Sequence, residues 1–155
     1  MSDNRHIFET RYEGRLYAKA EGDGFFPELV RTRLRTFLEL PAGSRILDVG
    51  CGSGSFLLPL LEAGYHVTGL DFSPSVLKVL REEAARRGIP PERIDLVEGD
   101  ATDMPFADGS FDAAMSFATL YVIPGPERAL AEIARVVRPG GFASFDMGNI
   151  DSLNA

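Results

Sequence analysis

The sequence lacks the features that mark several classes of protein. Its 155 residues include a single cysteine, Cys51, so no intramolecular disulfide can form, which argues against a disulfide-stabilised secreted scaffold. The longest apolar stretch, residues 117–123, is far too short to cross a bilayer. The amino terminus is polar and charged and has no apolar run like that of a signal peptide. We therefore expect a cytoplasmic protein without a membrane partner.

Positive charge is also scarce. There are 16 lysine and arginine residues against 23 acidic ones, which gives a formal net charge of −7. Such a surface repels phosphate backbones unless its basic residues are gathered on one face. The arginines that do cluster have the spacing of solvated helix faces: Arg31, Arg33 and Arg35, and Arg81, Arg86 and Arg87. We therefore expect no nucleic-acid partner.

Short β-rich runs alternate with longer helical patterns from residue 45 onward. The length and the 45% hydrophobic content are those of one globular domain. Several runs are apolar throughout, which is typical of parallel strands covered on both faces by helices. The predicted strands span residues 45–49, 66–70, 94–98, 111–117 and 142–147.

Helical patterns fill the gaps between these strands. The amphipathic segment 27–40 precedes the first strand, and further helices are predicted over residues 55–63, from Ser73 to Gly88, and from Pro126 until Pro139-Gly140-Gly141 ends the pattern. Strands alternating with helices predict βαβ units with right-handed crossovers, and hence a doubly wound α/β sheet. We expect residues 1–44 to form an arm and a helix, and residues 45–147 to form the core of one domain.

A glycine-rich turn follows the first predicted strand, in the sequence ILDVGCGSGSF of residues 46–56. Its alternate glycines let the backbone turn sharply and let a ligand lie against bare main chain. No Lys-Ser or Lys-Thr pair follows the turn, which excludes a Walker-type phosphate cradle. Asp48 stands two residues before the first glycine, where its charge favours a cationic ligand over a pyrophosphate.

Two further carboxylates follow the next two predicted strands. Asp71 comes about 20 residues after the glycine turn, where an acidic side chain can accept hydrogen bonds from both hydroxyls of a ribose. Asp100 follows the third strand and can accept a hydrogen bond from an adenine amine. Alone, each aspartate could be a helix cap or a solvated charge. Together they predict a nucleoside site at the carboxyl ends of the strands, where open α/β sheets bind ligands.

The segments ILDVGCGSGSF, GLDFSPSVL, VEGDATDMPFADGSFDAAMS and ARVVRPGG are together similar to the class I S-adenosylmethionine-dependent methyltransferases, in particular to their small-molecule branch. The resemblance covers about residues 45–145. It implies a Rossmann-like fold with parallel strands in the order 3-2-1-4-5. It also implies S-adenosylmethionine as cofactor, a small-molecule acceptor and methyl transfer by in-line displacement.

The same resemblance assigns roles to individual residues. Asp71 would bind the ribose, Asp100 would read the adenine amine, and Asp48 would reach the amino group of the methionine part. The remaining implied contacts come from the turn, the strand ends and the arm: Gly50, Cys51 and Gly52 at the methionine part, Phe72 on the adenine, Ala101 at its amine, Ser116 near the methionine end, and Tyr17 as an aromatic lid. We interpret Cys51 as a small loop residue and not as a nucleophile.

The acceptor is expected to contact the arm and the loop after the fourth strand. These segments offer the aromatic residues Tyr12, Tyr17, Phe25 and Phe26 and the loop residues Thr119, Leu120 and Tyr121. Tyr17 and Tyr121 are the candidates for a catalytic role, although a buried position in the core would suit Tyr121 equally well. No metal cluster is apparent. Two alternatives remain: a non-catalytic S-adenosylmethionine-binding module or regulatory partner, and, more distantly, an NAD-dependent oxidoreductase.

Family members usually continue past the fifth strand into an antiparallel pair that completes the sheet, whereas this sequence stops at Ala155. The fifth strand would then be an apolar edge, which favours association with another chain. We expect a homodimer, completion of the sheet by a partner chain, or a sequence that is part of a longer protein.

Overall fold

A computed structural model of the chain describes residues 25–147, with side chains from residue 28 onward. It contains one sheet of five parallel strands in the order β3-β2-β1-β4-β5. The predicted fold and strand order are thus confirmed, and no antiparallel strand occurs within residues 25–147. The strands are β1 (Arg45–Val49), β2 (His66–Asp71), β3 (Ile94–Glu98), β4 (Phe111–Ser116) and β5 (Val137–Phe145).

In the described residues four α-helices accompany the sheet: α1 (Phe25–Leu34), α2 (Leu57–Glu62), α3 (Pro74–Arg86) and α4 (Pro126–Val136). Both α3 and α4 begin with a proline, whose missing N–H has no helical partner at that position in any case. None of the helices in the described part of the chain has the length and apolar content required to cross a membrane. The predicted helix over residues 27–40 is in fact α1 followed by a short 3-10 turn at Phe37–Glu39.

The boundary between α4 and β5 differs from the prediction. The helix ends at Val136, and β5 begins at once, so that Pro139, Gly140 and Gly141 lie inside the strand. A proline is tolerated there because, among the strands of residues 25–147, β5 pairs with β4 alone and lies at an edge of the sheet. A Cβ atom on Gly141 would collide with the backbone oxygen of Asp112, so the glycine lets the two strands approach closely.

Two apolar clusters cover the two faces of the sheet. On one face α1, α2 and α3 contribute residues such as Leu34, Leu57 and Leu80. On the other face α4 contributes Ile133 to a cluster that includes Leu47 of β1. All five side chains are at most 3% exposed, and burial of each such side chain stabilises the fold by about 1.5–3 kcal/mol.

The two edges of the sheet differ in character. The β3 edge carries the acidic residues Asp95 and Glu98, which oppose pairing with another strand. Near the carboxyl end of the β5 edge, Phe145 and Met147 are 43% and 52% exposed. Within residues 25–147 the fifth strand therefore lies at the edge of the sheet and exposes apolar side chains, as predicted.

Gly54, at the end of the glycine turn, brings α3 close to the turn. Its φ is +86°, and a Cβ atom there would collide with Cδ1 of Leu80 on α3. Gly43 has a similar φ of +83° but has no heavy atom within 4 Å of the position of an added Cβ. The two glycines therefore separate the cost of backbone conformation from the cost of close packing.

Gly54→Ala should destabilise the protein more than Gly43→Ala. Both alanines carry the strain of a left-handed backbone, about 1–2 kcal/mol, but only the alanine at position 54 must also displace Leu80, which adds about 1–3 kcal/mol. Urea denaturation of both variants and the wild type measures the difference. Equal losses of unfolding free energy would show that Leu80 moves aside without cost.

Candidate cofactor site

The predicted site residues converge at one edge of the sheet. The parallel registers pair Asp48 with both Gly69 and Met115, and Asp71 with Glu98. The segments that follow β1, β2, β3 and β4 therefore emerge side by side. The three aspartates predicted as a site lie on three adjacent strands or directly after them.

The glycine turn folds back over the end of β2. The backbone N–H groups of Gly50 and Cys51 both donate to the carbonyl of Leu70, at 2.7 and 3.1 Å, and Gly54 donates to the carbonyl of Cys51 at 2.9 Å. Gly50 adopts a φ of +71°, and a Cβ atom on it would overlap the side chain of Thr119. The turn is thus held by β2 on one side and by the loop after β4 on the other.

Asp71 joins the glycine turn to the segment after β2. Its Oδ2 accepts a hydrogen bond from the backbone N–H of Gly52 at 3.0 Å, and its Oδ1 accepts one from the backbone N–H of Ser73 at 3.0 Å. The residue is only 5% exposed. Each carboxylate oxygen can accept more than one hydrogen bond, so this structural role, which the sequence did not predict, leaves capacity for ribose hydroxyls.

Asp48 is a buried carboxyl group beside another carboxyl group. It is 3% exposed, and no described residue donates a hydrogen bond to its carboxylate. Burial, together with the charge of Asp71, raises the pKa of Asp48 to about 8. Burial also raises the pKa of Asp71, but backbone N–H groups of Ser73, Gly52 and Phe72 oppose that rise. Burial therefore favours the protonated form of Asp48 at neutral pH, and a cation bound beside it would favour the loss of that proton.

The side chain of Cys51 faces the interior. It is 6% exposed, and its Sγ would lie 2.8 Å from a Cβ atom on Gly69. Burial, with the charges of Asp48 and Asp71, raises the pKa of the thiol well above its usual value. A protonated, enclosed thiol is a poor nucleophile, so only the backbone of Cys51 is left to contact a ligand.

Asp100 lies at the start of the loop between β3 and β4. Its Oδ1 accepts hydrogen bonds from the N–H and the hydroxyl of Thr102, at 2.8 and 2.7 Å, whereas Oδ2 accepts none from the described residues. The carbonyl of Asp71 accepts a bond from the N–H of Gly99 at 3.0 Å, which ties the loop to β2. Phe72 and Ala101, both half-buried, follow these two neighbouring strands.

Ser116 has a partner in the protein itself. Its side chain is fully buried, and its Oγ donates to the carbonyl of Val49 at 3.0 Å. This bond locks the end of β4 to the end of β1, and the predicted role of Ser116 at the methionine end stays a prediction.

The residues predicted to face the acceptor differ in their exposure to solvent. The prediction that Leu120 contacts the acceptor is wrong. The 3-10 turn Leu120–Val122 directs its side chain into the core, where it is fully buried. Tyr121 is 47% exposed, which excludes the core position, and its catalytic role stays a prediction.

The hydroxyl of Thr119 donates to the carbonyls of Gly50 and Phe117, at 3.2 and 3.1 Å. Tyr12 and Tyr17, and the side chains of Phe25 and Phe26, lie outside the described part of the chain.

An ion pair that the sequence did not reveal lies beside these loops. Arg33 of α1 pairs with Asp146, whose other oxygen accepts a bond from the N–H of Ala118 at 2.7 Å. The guanidinium also lies over the rings of Phe117 and Phe56, at 4.9 and 5.9 Å. Within residues 25–147, Ala118 is the only non-glycine residue with a positive φ, +58°. The one sequence signal is the position of Asp146, directly after β5 and hence at the same edge as the site.

Comparison with known proteins places these features in a family. Residues 47–145 match the sequence model of a family described as "Methyltransferase domain". Over 99 residues the chain is 46% identical to a demethylmenaquinone methyltransferase of Renibacterium salmoninarum, covering 64% of this chain and 39% of that protein. It is 31% identical to a sterol 4-C-methyltransferase of Caenorhabditis elegans, covering 93% and 41%. It is 40% identical to a phosphatidylethanolamine N-methyltransferase of Cereibacter sphaeroides, covering 70% and 53%. The chain thus spans about half the length of these relatives, or less.

Solved structures share the fold. A S-adenosylmethionine-dependent methyltransferase from Methanosarcina mazei aligns with a TM-score of 0.68 and 30% identity, covering 77% of this chain and 60% of that one. The [4+2]-cyclase SpnF aligns with a TM-score of 0.65 and 36% identity, covering 74% and 40%. Since one neighbour is a cyclase, the fold alone does not specify the reaction.

The unfolding free energy should depend on pH through Asp48. Its pKa of about 8 in the folded state lies above the value of about 3.9 in an unfolded chain, so the folded state binds more protons between these values. Stability is therefore greatest below about pH 4 as far as this group is concerned, and falls as pH rises towards 8, by up to about 1.4 kcal/mol per pH unit.

The variant Asp48→Asn carries an amide at this position, which does not titrate between pH 4 and pH 8. In urea denaturation from pH 4 to pH 8, its stability should increase relative to that of the wild type as pH rises. Asp95→Asn, at an exposed position on β3, controls for the loss of one surface carboxylate. Parallel profiles for Asp48→Asn and the wild type would contradict the assignment of this proton to Asp48.

Proposed function

Since the chain belongs to the methyltransferase domain family, we propose that it binds S-adenosylmethionine at the carboxyl edge of the sheet and transfers the methyl group to a small molecule. The observation that carries this proposal is the buried carboxyl of Asp48, which accepts no hydrogen bond from the described residues and adjoins Asp71. Asp48 lies near the carboxyl end of β1, between β2 and β4 and just before the glycine turn, where open α/β sheets bind ligands. Its carboxyl group would contact the amino group of the methionine part.

The electrostatics of the site favour a cation. Asp48 and Asp71 are both at most 5% exposed, and an anion placed beside them would meet unscreened repulsion. S-adenosylmethionine carries a sulfonium and an amino group, whereas a dinucleotide would bring a pyrophosphate to the same turn. This argues against the NAD-dependent oxidoreductase.

The remaining residues fit the rest of the cofactor. Asp71 would accept bonds from the ribose hydroxyls, and Asp100 would use Oδ2 for the adenine amine. Phe72 would pack on the adenine ring beside Ala101. The backbone of residues 50–52 would lie along the methionine part.

The chain contributes position and exclusion of water to the reaction. When bound, the sulfonium supplies a methyl group that is already activated for displacement. The chain must then hold the acceptor atom in line with the methyl group in a dry site. The ion pair between Arg33 and Asp146 fixes the loop after β4 through the N–H of Ala118, and the rings of Phe56 and Phe117, 4.7 Å apart, pack beside it.

The acceptor that we propose has a substantial apolar part. The relatives named above are a sterol, a demethylmenaquinone and a phosphatidylethanolamine methyltransferase, and all three named substrates are lipophilic. The turn after β4 exposes Tyr121 and Val122, at 47% and 40%, and these side chains offer an apolar surface beside the site. Of the two candidate tyrosines, Tyr121 lies within residues 25–147, and we propose that it contacts the acceptor.

We also propose that the β5 edge is covered in the assembled protein, with a second copy of this chain as the simplest cover. The exposure of Phe145 and Met147 supports this proposal. Light scattering should then give the mass of a dimer. A monomer at high concentration that binds no apolar dye would contradict it.

Titration calorimetry with different ligands tests the cofactor site. S-adenosylmethionine should bind and NADH should not. Asp71→Ala should weaken the binding of both S-adenosylmethionine and 5′-methylthioadenosine by about 1–3 kcal/mol, because both ligands contain the ribose.

Asp48→Asn should weaken only the binding of S-adenosylmethionine, by about 1.5–3 kcal/mol, because 5′-methylthioadenosine lacks the methionine part and its amino group. Equal losses for both ligands in Asp48→Asn would remove Asp48 from the amino group.

Turnover separates the enzyme from a binding module. Formation of S-adenosylhomocysteine that depends on an added acceptor, across a panel of sterols, quinols and phospholipids, would support methyl transfer. Tight binding of the cofactor without turnover on the panel would instead favour the non-catalytic module. Asp95→Asn serves as the matched control in both assays.

A further inference from the structure

One arginine of α4 holds the loop between β3 and β4. The Nη1 group of Arg135 donates to the carbonyl of Phe106 at 2.7 Å and to Oδ1 of Asp108 at 2.9 Å, and its Nη2 group donates to the carbonyl of Met104 at 3.1 Å. Nε and Nη2 also donate to the two carboxylate oxygens of Glu132, at 2.7 and 2.8 Å. The whole guanidinium fork is therefore used, and three of its bonds go to the loop.

Glu132 completes the attachment from one turn earlier on α4. Its Oε2 accepts a hydrogen bond from the backbone N–H of Met104 at 2.6 Å. Both polar backbone groups of Met104 are thus bound by the same helix. The side chain of Met104, 4% exposed, packs into the apolar cluster with Leu70 and Leu120.

The attachment lies close to Asp100. The loop is tied to β2 at its start, through the N–H of Gly99 and the carbonyl of Asp71, and to α4 from Met104 onward. The short segment between these ties is a tight turn closed by an isolated antiparallel bridge between Asp100 and Asp103, with Thr102 inside the turn. Since Thr102 donates twice to Oδ1 of Asp100, any shift of the segment would move the carboxylate with it.

The charges of the pair persist at neutral pH. The hydrogen bonds from Arg135 lower the pKa of Glu132 from 4.5 to about 2, so the bonds to the loop stay charge-assisted. The side chains of Arg135 and Glu132 are 31% and 18% exposed, and ion pairs that are open to solvent contribute little to stability. What the pair does determine is the position of a loop without regular secondary structure.

We propose that Arg135 and Glu132 are positioning residues for adenine recognition, acting through the loop that carries Asp100 and not by contact with the ligand. This inference rests on the proposed function, in which Oδ2 of Asp100 accepts from the adenine amine. A recognition group gives full discrimination only when it is held within a fraction of an ångström of its place. A loosened loop would therefore recognise the base less selectively.

The test compares two ligands that differ at the base, 5′-methylthioadenosine and 5′-methylthioinosine, in which a carbonyl replaces the amine. The wild type should prefer the adenine compound. Arg135→Lys keeps the charge but loses the fork, and should reduce the ratio of the two dissociation constants about tenfold. Glu132→Gln keeps the shape of the side chain but replaces one accepting oxygen with a donating NH2 group. It should reduce the ratio in the same direction by less, and it keeps the test available if Arg135→Lys unfolds.

Arg86→Lys is the matched control. Arg86 makes the same forked pair three residues along a helix, with Glu83 on α3, at 2.8 and 2.7 Å. The two hydrogen bonds of that pair join residues of the same helix, so the ratio should stay at its wild-type value. Melting temperatures of all variants identify losses that are due to stability alone.

The outcomes separate the positioning proposal from the proposed function. If Asp100→Asn lowers the ratio and Arg135→Lys leaves it unchanged, or if Arg135→Lys weakens both ligands equally, the positioning role is wrong while the adenine site remains. If Asp100→Asn leaves the ratio unchanged, or if the wild type shows no preference, the assignment of Asp100 is wrong and the positioning role falls with it. A reduced ratio in both variants supports the proposal.

Discussion

The carboxylate of Asp71 is the point at which the separate parts of the site are joined. One oxygen holds the N–H of Gly52 in the glycine turn, and the other holds the N–H of Ser73 before α3. The backbone carbonyl of the same residue accepts from Gly99, at the start of the loop that carries Asp100. Three loops from three strands therefore take their positions from one residue at the end of β2, and the sheet register fixes that residue in turn.

This arrangement places two carboxyl groups in one buried region, which is unfavourable for the isolated protein. Desolvation opposes the charged form of each group, and their mutual repulsion adds to it. A ligand that binds only the folded state recovers stability by mass action. A cationic ligand would also remove the electrostatic penalty at its source, so the feature that lowers the stability of the folded protein would favour a cation over an anion at this position.

The sequence was sufficient to predict the interior of the fold. Strands β1 and β3 have the predicted boundaries because apolar runs between turn residues leave little choice of register. The fifth strand was misplaced because Pro139 and two glycines resemble a helix terminator, and only the edge position explains how a strand accommodates them. Leu120 was assigned to the acceptor by its place in the chain, whereas a single 3-10 turn directs it inward.

The placement of the candidate site residues could be predicted where it follows from neighbouring residues, and not where it depends on distant ones. Asp48, Asp71 and Asp100 each stand at a strand end, which the sequence shows. The pair of Arg33 and Asp146 spans 113 residues, and no periodic pattern indicates such a contact.

The enclosure of Cys51 has a practical consequence. The chain has one thiol, and its sulfur lies over Gly69 beneath the glycine turn. A thiol reagent can reach that sulfur only when the turn lifts from β2, so the rate of labelling reports how often this part of the protein opens. The native sequence thus carries its own kinetic probe, placed in the glycine turn of the candidate site and requiring no engineered residue.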